Sequence, residues 1–82
     1  MHTLIFKKVA EKFLKKLDKE NQNRILKKLK QLKNNPELGK PLIGNLSGLW
    51  ALRIGKYRIL YQIFKDKLII VILDIGHRKN IY

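Results

Sequence analysis

The hydrophobic positions in the N-terminal half of the chain recur every three or four residues, which is typical of amphipathic helices. The first apolar stripe consists of Val9, Ala10, Phe13, Leu14 and Leu17, and the second consists of Ile25, Leu26, Leu29 and Leu32. Asp18 is a suitable N-cap for the second helix, and Pro36 ends it because the residue before a proline disfavours helical geometry. The lysines lie outside both stripes, so we expect the two helices to pack their apolar faces against a sheet.

The remaining apolar positions predict strands. Thr3–Phe6 forms a short strand before the helices, and three further strands follow in the C-terminal half. We place these three at residues 49–54, Tyr57–Phe64 and residues 67–74, joined by Gly55-Lys56 and a turn around Asp66, with residues 37–48 as a connecting loop. The order β-α-α-β-β-β predicts an α+β fold, with an N-terminal helical hairpin packed on an antiparallel sheet. We expect residues 1–82 to form a single domain.

The two-residue connection Gly55-Lys56 predicts that two arginines meet across a hairpin. A hairpin closed there pairs Ile54 with Tyr57 and therefore Arg53 with Arg58. The apolar face of this hairpin consists of Trp50, Leu52, Ile54, Tyr57, Ile59 and Tyr61. The two arginines emerge together on the other face. Like charges directly opposite each other destabilise a hairpin, which favours a role in holding an anion, and a bidentate arginine is well shaped for phosphate.

The last predicted strand returns to the arginine end of the sheet. If Lys65-Asp66 closes the second turn, Arg58 lies opposite Leu73. The residues expected at this corner are Arg53, Lys56, Arg58, His77, Arg78 and Tyr82. Fixed guanidinium groups would stabilise the charge that develops on a phosphate during RNA cleavage. His77 and Tyr82 are both candidates for the proton transfer, so the corner predicts a site for phosphodiester chemistry.

The charge of the chain points to a polyanionic partner. Its 19 Lys and Arg residues against 6 Asp and Glu give a net charge of +13, which suits nucleic acid, a ribosome or an acidic protein. A lysine-rich surface that serves stability alone is the other interpretation. The chain has no cysteine and its two histidines are far apart, so we expect neither a metal ion nor another cofactor. No apolar run is long enough to span a bilayer and no signal sequence is evident, so we expect a cytoplasmic protein.

Two motifs are similar to those of the RelE/ParE toxin superfamily. They are Leu-Trp-x-Leu-Arg-x-Gly-x-Tyr-Arg-x-x-Tyr, which begins at Leu49, and Gly-His-Arg-x-x-x-Tyr, which ends at Tyr82. The resemblance covers nearly the whole chain. It implies a ribosome-dependent mRNA interferase of the RelE type, a metal-independent endoribonuclease that enters the ribosomal A site and cuts the codon there. It also implies a cognate antitoxin protein that wraps around the toxin and holds it inactive.

The resemblance assigns roles residue by residue. Arg53 corresponds to a basic residue of the second strand, Arg58 to the arginine that contacts the scissile phosphate, and Arg78 to the arginine that stabilises the transition state. Tyr82 corresponds to the C-terminal tyrosine implicated in proton abstraction and base stacking, and His77 occupies a position where members carry lysine or histidine. The other basic residues that we expect to bind RNA are Lys56 and Lys79.

The sheet face away from the helices is also apolar. Its residues are Leu60, Phe64, Ile69, Val71 and Leu73. An apolar face of this kind requires either a covering loop or a binding partner. The resemblance favours the antitoxin as that partner.

Two other functions remain open. ParE toxins share the scaffold and inhibit DNA gyrase but lack the RelE set of catalytic residues, so the second motif favours the nuclease. Ala51 stands where RelE toxins often carry another base. That substitution leaves open a non-catalytic, degraded toxin that only binds RNA or its antitoxin.

Overall fold

The fold combines two helices with one sheet, as the sequence predicts. A computed structural model describes residues 2–77. The helices and strands are β1 (Thr3–Phe6), α1 (Lys8–Lys16), α2 (Lys19–Asn34), β2 (Lys40–Pro41), β3 (Trp50–Ile54), β4 (Tyr57–Phe64) and β5 (Ile69–His77), with short 3₁₀ turns at Pro36–Leu38 and Gly44–Leu46. The α+β class and the helical hairpin are therefore confirmed. Across residues 2–77, neither helix has the combination of length and apolar character needed to cross a lipid bilayer.

The sheet has five strands in the order β1-β5-β4-β3-β2. The pairs β2–β3, β3–β4 and β4–β5 are antiparallel, whereas β1 pairs parallel with β5, with Leu4 opposite Ile70. The sheet is thus mixed rather than wholly antiparallel. The extra strand β2 lies within the predicted loop and pairs with Trp50 and Ala51.

Both helices pack on one face of the sheet, which we call the helix face; the opposite face is the distal face. The buried core consists of Ala10, Leu14, Ile25, Leu29, Leu32, Leu52, Ile54, Tyr57, Ile59, Tyr61, Ile70, Ile72 and Ile75. The predicted stripes supply the helix side of this core, and their members Phe13 and Leu17 pack against it while partly buried. Val9 and Leu26 remain 58% and 44% exposed because they lie at the edges of their stripes.

The β3–β4 hairpin has the predicted register. Arg53 pairs with Arg58 and Ile54 pairs with Tyr57, which leaves Gly55 and Lys56 as the connection. Gly55 has φ +58°, in the left-handed region that a residue with a side chain rarely adopts. The glycine in first position therefore explains why the hairpin closes here.

The pairing of β4 with β5 differs from the predicted one. The turn between them spans residues 65–68 and ends with Leu68 at φ +53°, so that Phe64 pairs with Ile69. Farther along, Tyr61 pairs with Ile72 and Leu60 with Asp74, which leaves Leu73 as the extra residue of a β-bulge. As a result, Gly76 rather than Leu73 lies opposite Arg58, and β5 continues past Asp74 to His77.

Candidate functional site

The arginine pair lies on the distal face, at the turn end of the β3–β4 hairpin. Arg53 is exposed and Arg58 is half-buried. Both line a cavity of about 310 Å³, which we call the arginine cavity. Its other lining residues are Leu38, Gly39, Lys40, Leu42, Ala51 and Leu52. Three cations in one concave site can bind an anion such as a phosphate.

The wall of the arginine cavity is fixed by a buried tyrosine. The Tyr61 hydroxyl donates a hydrogen bond to the Pro36 carbonyl oxygen at 2.7 Å and accepts one from the Gly39 N–H at 3.1 Å. Burial raises the pKa of Tyr61 above its usual value, against the lowering effect of the Gly39 hydrogen bond, and the negative charge of Glu37 raises this pKa further. The hydroxyl therefore stays protonated and holds residues 36–39 against the sheet.

Gly39 packs too closely against β3 to carry a side chain. A Cβ atom placed on Gly39 would overlap the Ala51 carbonyl oxygen and would lie 2.8 Å from the Tyr61 hydroxyl. The glycine thus lets the loop approach the sheet beside the arginine pair. Lys40 follows directly and enters β2, which is how a loop lysine absent from the predicted site becomes the third cation of the cavity. The sequence marks that segment only as a loop.

His77 reaches the arginine end of the sheet but not the arginine face. It pairs with Tyr57, a core residue, and its ring lies 5.2 Å from the Tyr57 ring and 6.2 Å from the Phe13 ring, measured between centroids. The Lys56 ammonium lies 5.7 Å from the centroid of the same Tyr57 ring, in a cation–π contact. His77 and Lys56 are therefore grouped on the helix-face side of the corner, away from the arginine cavity.

Three predicted site residues fall outside the part of the chain that the structure describes. They are Arg78, Lys79 and Tyr82. Their roles stay predictions from the sequence. Among the described residues, no group of three or more His, Asp or Glu side chains is placed to hold a metal ion.

The predicted antitoxin surface lies on the distal face, and all five of its residues are half-buried. Phe64 pairs with Ile69, and Val71 pairs on its other side with Ile5, which is 45% exposed and extends the apolar surface onto β1. Leu73 occupies the bulge and so falls outside the regular alternation of β5. None of the five belongs to the core cluster under the helices.

Comparisons with known proteins agree with this fold. A family model described as the ParE toxin of the type II toxin–antitoxin system parDE matches residues 4–82. Toxin RelG of Mycobacterium tuberculosis is 44% identical over 45 residues, which are 55% of this chain and 52% of RelG, so the match spans about half of that relative. A putative RelE-like toxin protein of Escherichia coli is 32% identical over 77 residues, which cover 92% of this chain and 81% of that protein.

A solved structure extends the agreement to three dimensions. The chain matches a chain of the RelBE2 toxin–antitoxin complex of Mycobacterium tuberculosis with a TM-score of 0.85 and 33% sequence identity. The match covers 94% of this chain and 98% of the other. Together with the family model, this likeness extends over both the helical hairpin and the sheet. The chain therefore belongs to the ParE toxin family, within the RelE/ParE superfamily of type II toxin–antitoxin toxins.

Proposed function

We propose that this toxin is a metal-independent endoribonuclease that cuts mRNA in the ribosomal A site and so inhibits translation in the cytoplasm. The observation that carries the proposal is the cross-strand pair of Arg53 and Arg58 in one cavity with Lys40. Arginines directly opposite each other repel, and an anion bound between them would offset that repulsion. A phosphodiester of RNA fits both the charge and the bidentate geometry of the guanidinium groups.

The reaction that this site would support is an internal attack within the RNA. The ribose 2′-oxygen loses its proton and bonds to the adjacent phosphorus, while the bond from phosphorus to the 5′-oxygen breaks and that oxygen gains a proton. Negative charge grows on the non-bridging phosphate oxygens, where Arg53 and Arg58 would stabilise it because the hairpin register sets their backbones opposite each other before the reaction starts. Family resemblance adds Arg78 as a further stabilising cation and Tyr82 as the proton acceptor.

The remaining predicted site residues have roles other than contact with the reacting phosphate in this proposal. The ring of His77 packs beside Phe13 and Tyr57 on the helix-face side, so we assign it no proton transfer. Lys56 and Lys79 would bind RNA outside the reacting phosphate. The cognate antitoxin would cover the apolar distal surface, and the crystallised relative in a RelBE2 toxin–antitoxin complex supports this partner.

The test is cleavage of a defined mRNA on ribosomes stalled with an empty A site, with a ribosome-free sample as control. Wild type is compared with Arg58→Ala, with Arg58→Lys and with Lys67→Ala, which removes an exposed charge from the distant β4–β5 turn. We expect Arg58→Ala to slow cleavage by about 10²–10³-fold, as loss of one charge-stabilising donor does elsewhere. Arg58→Lys should recover part of the rate, and Lys67→Ala should keep it. A folded wild type that cuts no mRNA on ribosomes would refute the proposal.

Two observations favour other functions and define the remaining outcomes. The matching family model is named for ParE toxins, which favours inhibition of DNA gyrase as the second candidate. Inhibition of gyrase supercoiling by a protein that leaves mRNA intact would establish it.

Ala51 lines the arginine cavity with a methyl group that cannot transfer a proton, which favours a toxin that binds RNA without cutting it. Binding to programmed ribosomes without turnover would identify that third case.

A further inference from the structure

A second basic cleft lies between α2 and the turn of the β3–β4 hairpin. Its helix side is formed by Arg24, Lys27, Lys28 and Gln31, whose spacing of three, four and seven residues places them on one face of α2. Its other side is formed by Arg53, Ile54 and Gly55, and the cleft has a volume of about 390 Å³. We call it the helix–hairpin cleft.

Arg24 lies beside the hairpin turn. A Cβ atom placed on Gly55 would lie 3.3 Å from Nη1 of Arg24, so the guanidinium group packs against the turn where the glycine leaves room for it. Arg24 is nevertheless exposed, so its guanidinium group is accessible to a ligand in the cleft.

The cations of the cleft have no acidic partner within residues 2–77. The two ion pairs found in that part of the chain join Lys15 to Glu11 and Lys65 to Glu37, both away from the cleft. Arg24, Lys27, Lys28 and Arg53 line the cleft together, and none of them makes an ion pair within 4.0 Å with a described carboxylate. Their mutual repulsion would be relieved by a bound polyanion.

Arg53 connects the helix–hairpin cleft with the arginine cavity because it lines both. We propose that the cleft is a second phosphate subsite, which binds the RNA backbone next to the phosphate held by Arg53 and Arg58. The inference rests on the proposed RNA substrate, and it adds the path of the RNA backbone from the arginine cavity into the helix–hairpin cleft. It assigns binding to Arg24 and Lys28, which the sequence marks only as parts of a charged helix surface.

The lining of the cleft favours a nucleic acid over an acidic protein segment. Its helix side offers three cations and an amide, and its one apolar residue, Ile54, is buried in the core. The larger groove between α2 and β1 is different, because Leu4, Phe6, Leu26 and Leu29 give it an apolar floor. A protein segment would gain from that apolar floor, whereas a sugar–phosphate strand needs only the fixed charges.

The test measures equilibrium binding of non-cleavable 2′-O-methyl RNA to the full chain. A dinucleotide carries one phosphodiester and reports on the arginine cavity alone, whereas a pentanucleotide can also fill the cleft. Wild type is compared with Arg24→Ala/Lys28→Ala and with the matched control Lys30→Ala/Lys33→Ala. The control removes the same charge from the same helix, at residues that line the apolar groove instead. Circular dichroism verifies that each variant is folded.

We expect the Arg24→Ala/Lys28→Ala variant to bind the pentanucleotide roughly tenfold more weakly or worse, while its affinity for the dinucleotide is unchanged. The slope of log affinity against log salt should fall by about 0.7 for each phosphate that the variant no longer binds. The control variant should keep the gain in affinity from dinucleotide to pentanucleotide. Equal losses in both double variants, or a wild type that gains nothing from the added phosphates, would overturn the subsite.

Two further arms separate the possible causes of failure. A penta-glutamate peptide that competes as well as the pentanucleotide would show an acidic-protein site and overturn the RNA assignment. Because the probe cannot be cut, its binding does not depend on catalysis. If the wild type fails to cleave mRNA but the variants show the expected binding pattern, the proposed function is refuted and the subsite stands. If the wild type cleaves mRNA but the Arg24→Ala/Lys28→Ala variant binds RNA as well as the control variant does, the subsite alone is refuted.

Discussion

Replacement of Tyr61 by phenylalanine tests whether one hydroxyl holds the wall of the arginine cavity. The side chain is fully buried, and its ring stacks beside Trp50 at a centroid distance of 6.2 Å. Tyr61→Phe keeps the ring and removes only the hydroxyl. The Pro36 carbonyl and the Gly39 N–H then lose their hydrogen-bond partner at the base of the loop.

The expected loss of stability follows from these two bonds. A hydrogen bond contributes about 0.5–1.5 kcal/mol net, and a buried polar group left without a partner costs about 1–3 kcal/mol. With both groups only partly buried, we expect Tyr61→Phe to lower the free energy of unfolding by about 2 kcal/mol. For a domain of this size, that corresponds to a decrease of about 8–16 °C in the melting temperature.

The matched control is Tyr57→Phe. Tyr57 is also a core residue, but its hydroxyl makes no hydrogen bond within the described part of the chain. Urea unfolding followed by circular dichroism should show a lower midpoint for Tyr61→Phe and little change for Tyr57→Phe. Circular dichroism is preferred because fluorescence of the single tryptophan, Trp50, would respond directly to its stacked neighbour.

Alkaline pH offers an independent measure of the same hydroxyl. Burial raises the pKa of Tyr61 above its usual value, so the folded protein keeps a proton that the unfolded chain releases above about pH 10. Its contribution to stability is complete below that pH and declines as the pH rises above it. Tyr61→Phe should remove this part of the alkaline loss. Equal urea midpoints for Tyr61→Phe and Tyr57→Phe, with the same alkaline decline in both, would refute the reasoning.

Two further predictions concern the loop and the histidine. Gly39→Ala should lower the free energy of unfolding by about 1–3 kcal/mol, because its Cβ atom would overlap the Ala51 carbonyl, and an unchanged urea midpoint would contradict this. His77→Ala should keep mRNA cleavage close to the wild-type rate, because its ring lies on the helix-face side. A loss of about 10²–10⁴-fold, typical of a missing general acid or base, would return His77 to the catalytic set.

The parts of the fold that the sequence predicts are those determined locally. Each helix carries its predicted stripe, and α2 begins directly after Asp18 and ends before Pro36, because these boundary signals stand next to the helix in the chain. The Arg53–Arg58 pairing is equally local, since a two-residue connection with Gly55 first leaves one register. The parallel pairing of β1 with β5 is different. A short half-buried strand shows the same pattern in either direction, so the sequence does not reveal its neighbour.

The register of β5 depends on two irregular features, which a prediction from the regular alternation of inward and outward side chains does not include. Leu68 ends the turn at a positive φ, where the sequence offers no glycine to mark it. The bulge at Leu73 does leave a signal, because uninterrupted alternation from Ile70 and Ile72 would direct Asp74 into the core. The extra residue moves Asp74 to the distal face, where its carboxylate accepts a hydrogen bond from the Ile75 N–H, and lets Ile75 fill the core at 2% exposure.

The same bulge decides what lies beside the arginine pair. Without the extra residue, the register that begins with Phe64 opposite Ile69 would place Ile75 opposite Arg58, on the distal face. With it, Gly76 takes that position, so the residue directly opposite Arg58 on β5 carries no side chain. His77 is turned to the helix-face side by the same shift. One inserted residue therefore keeps a carboxylate out of the core and an isoleucine away from the proposed phosphate site, so the stability of the sheet and the shape of the site have a common origin.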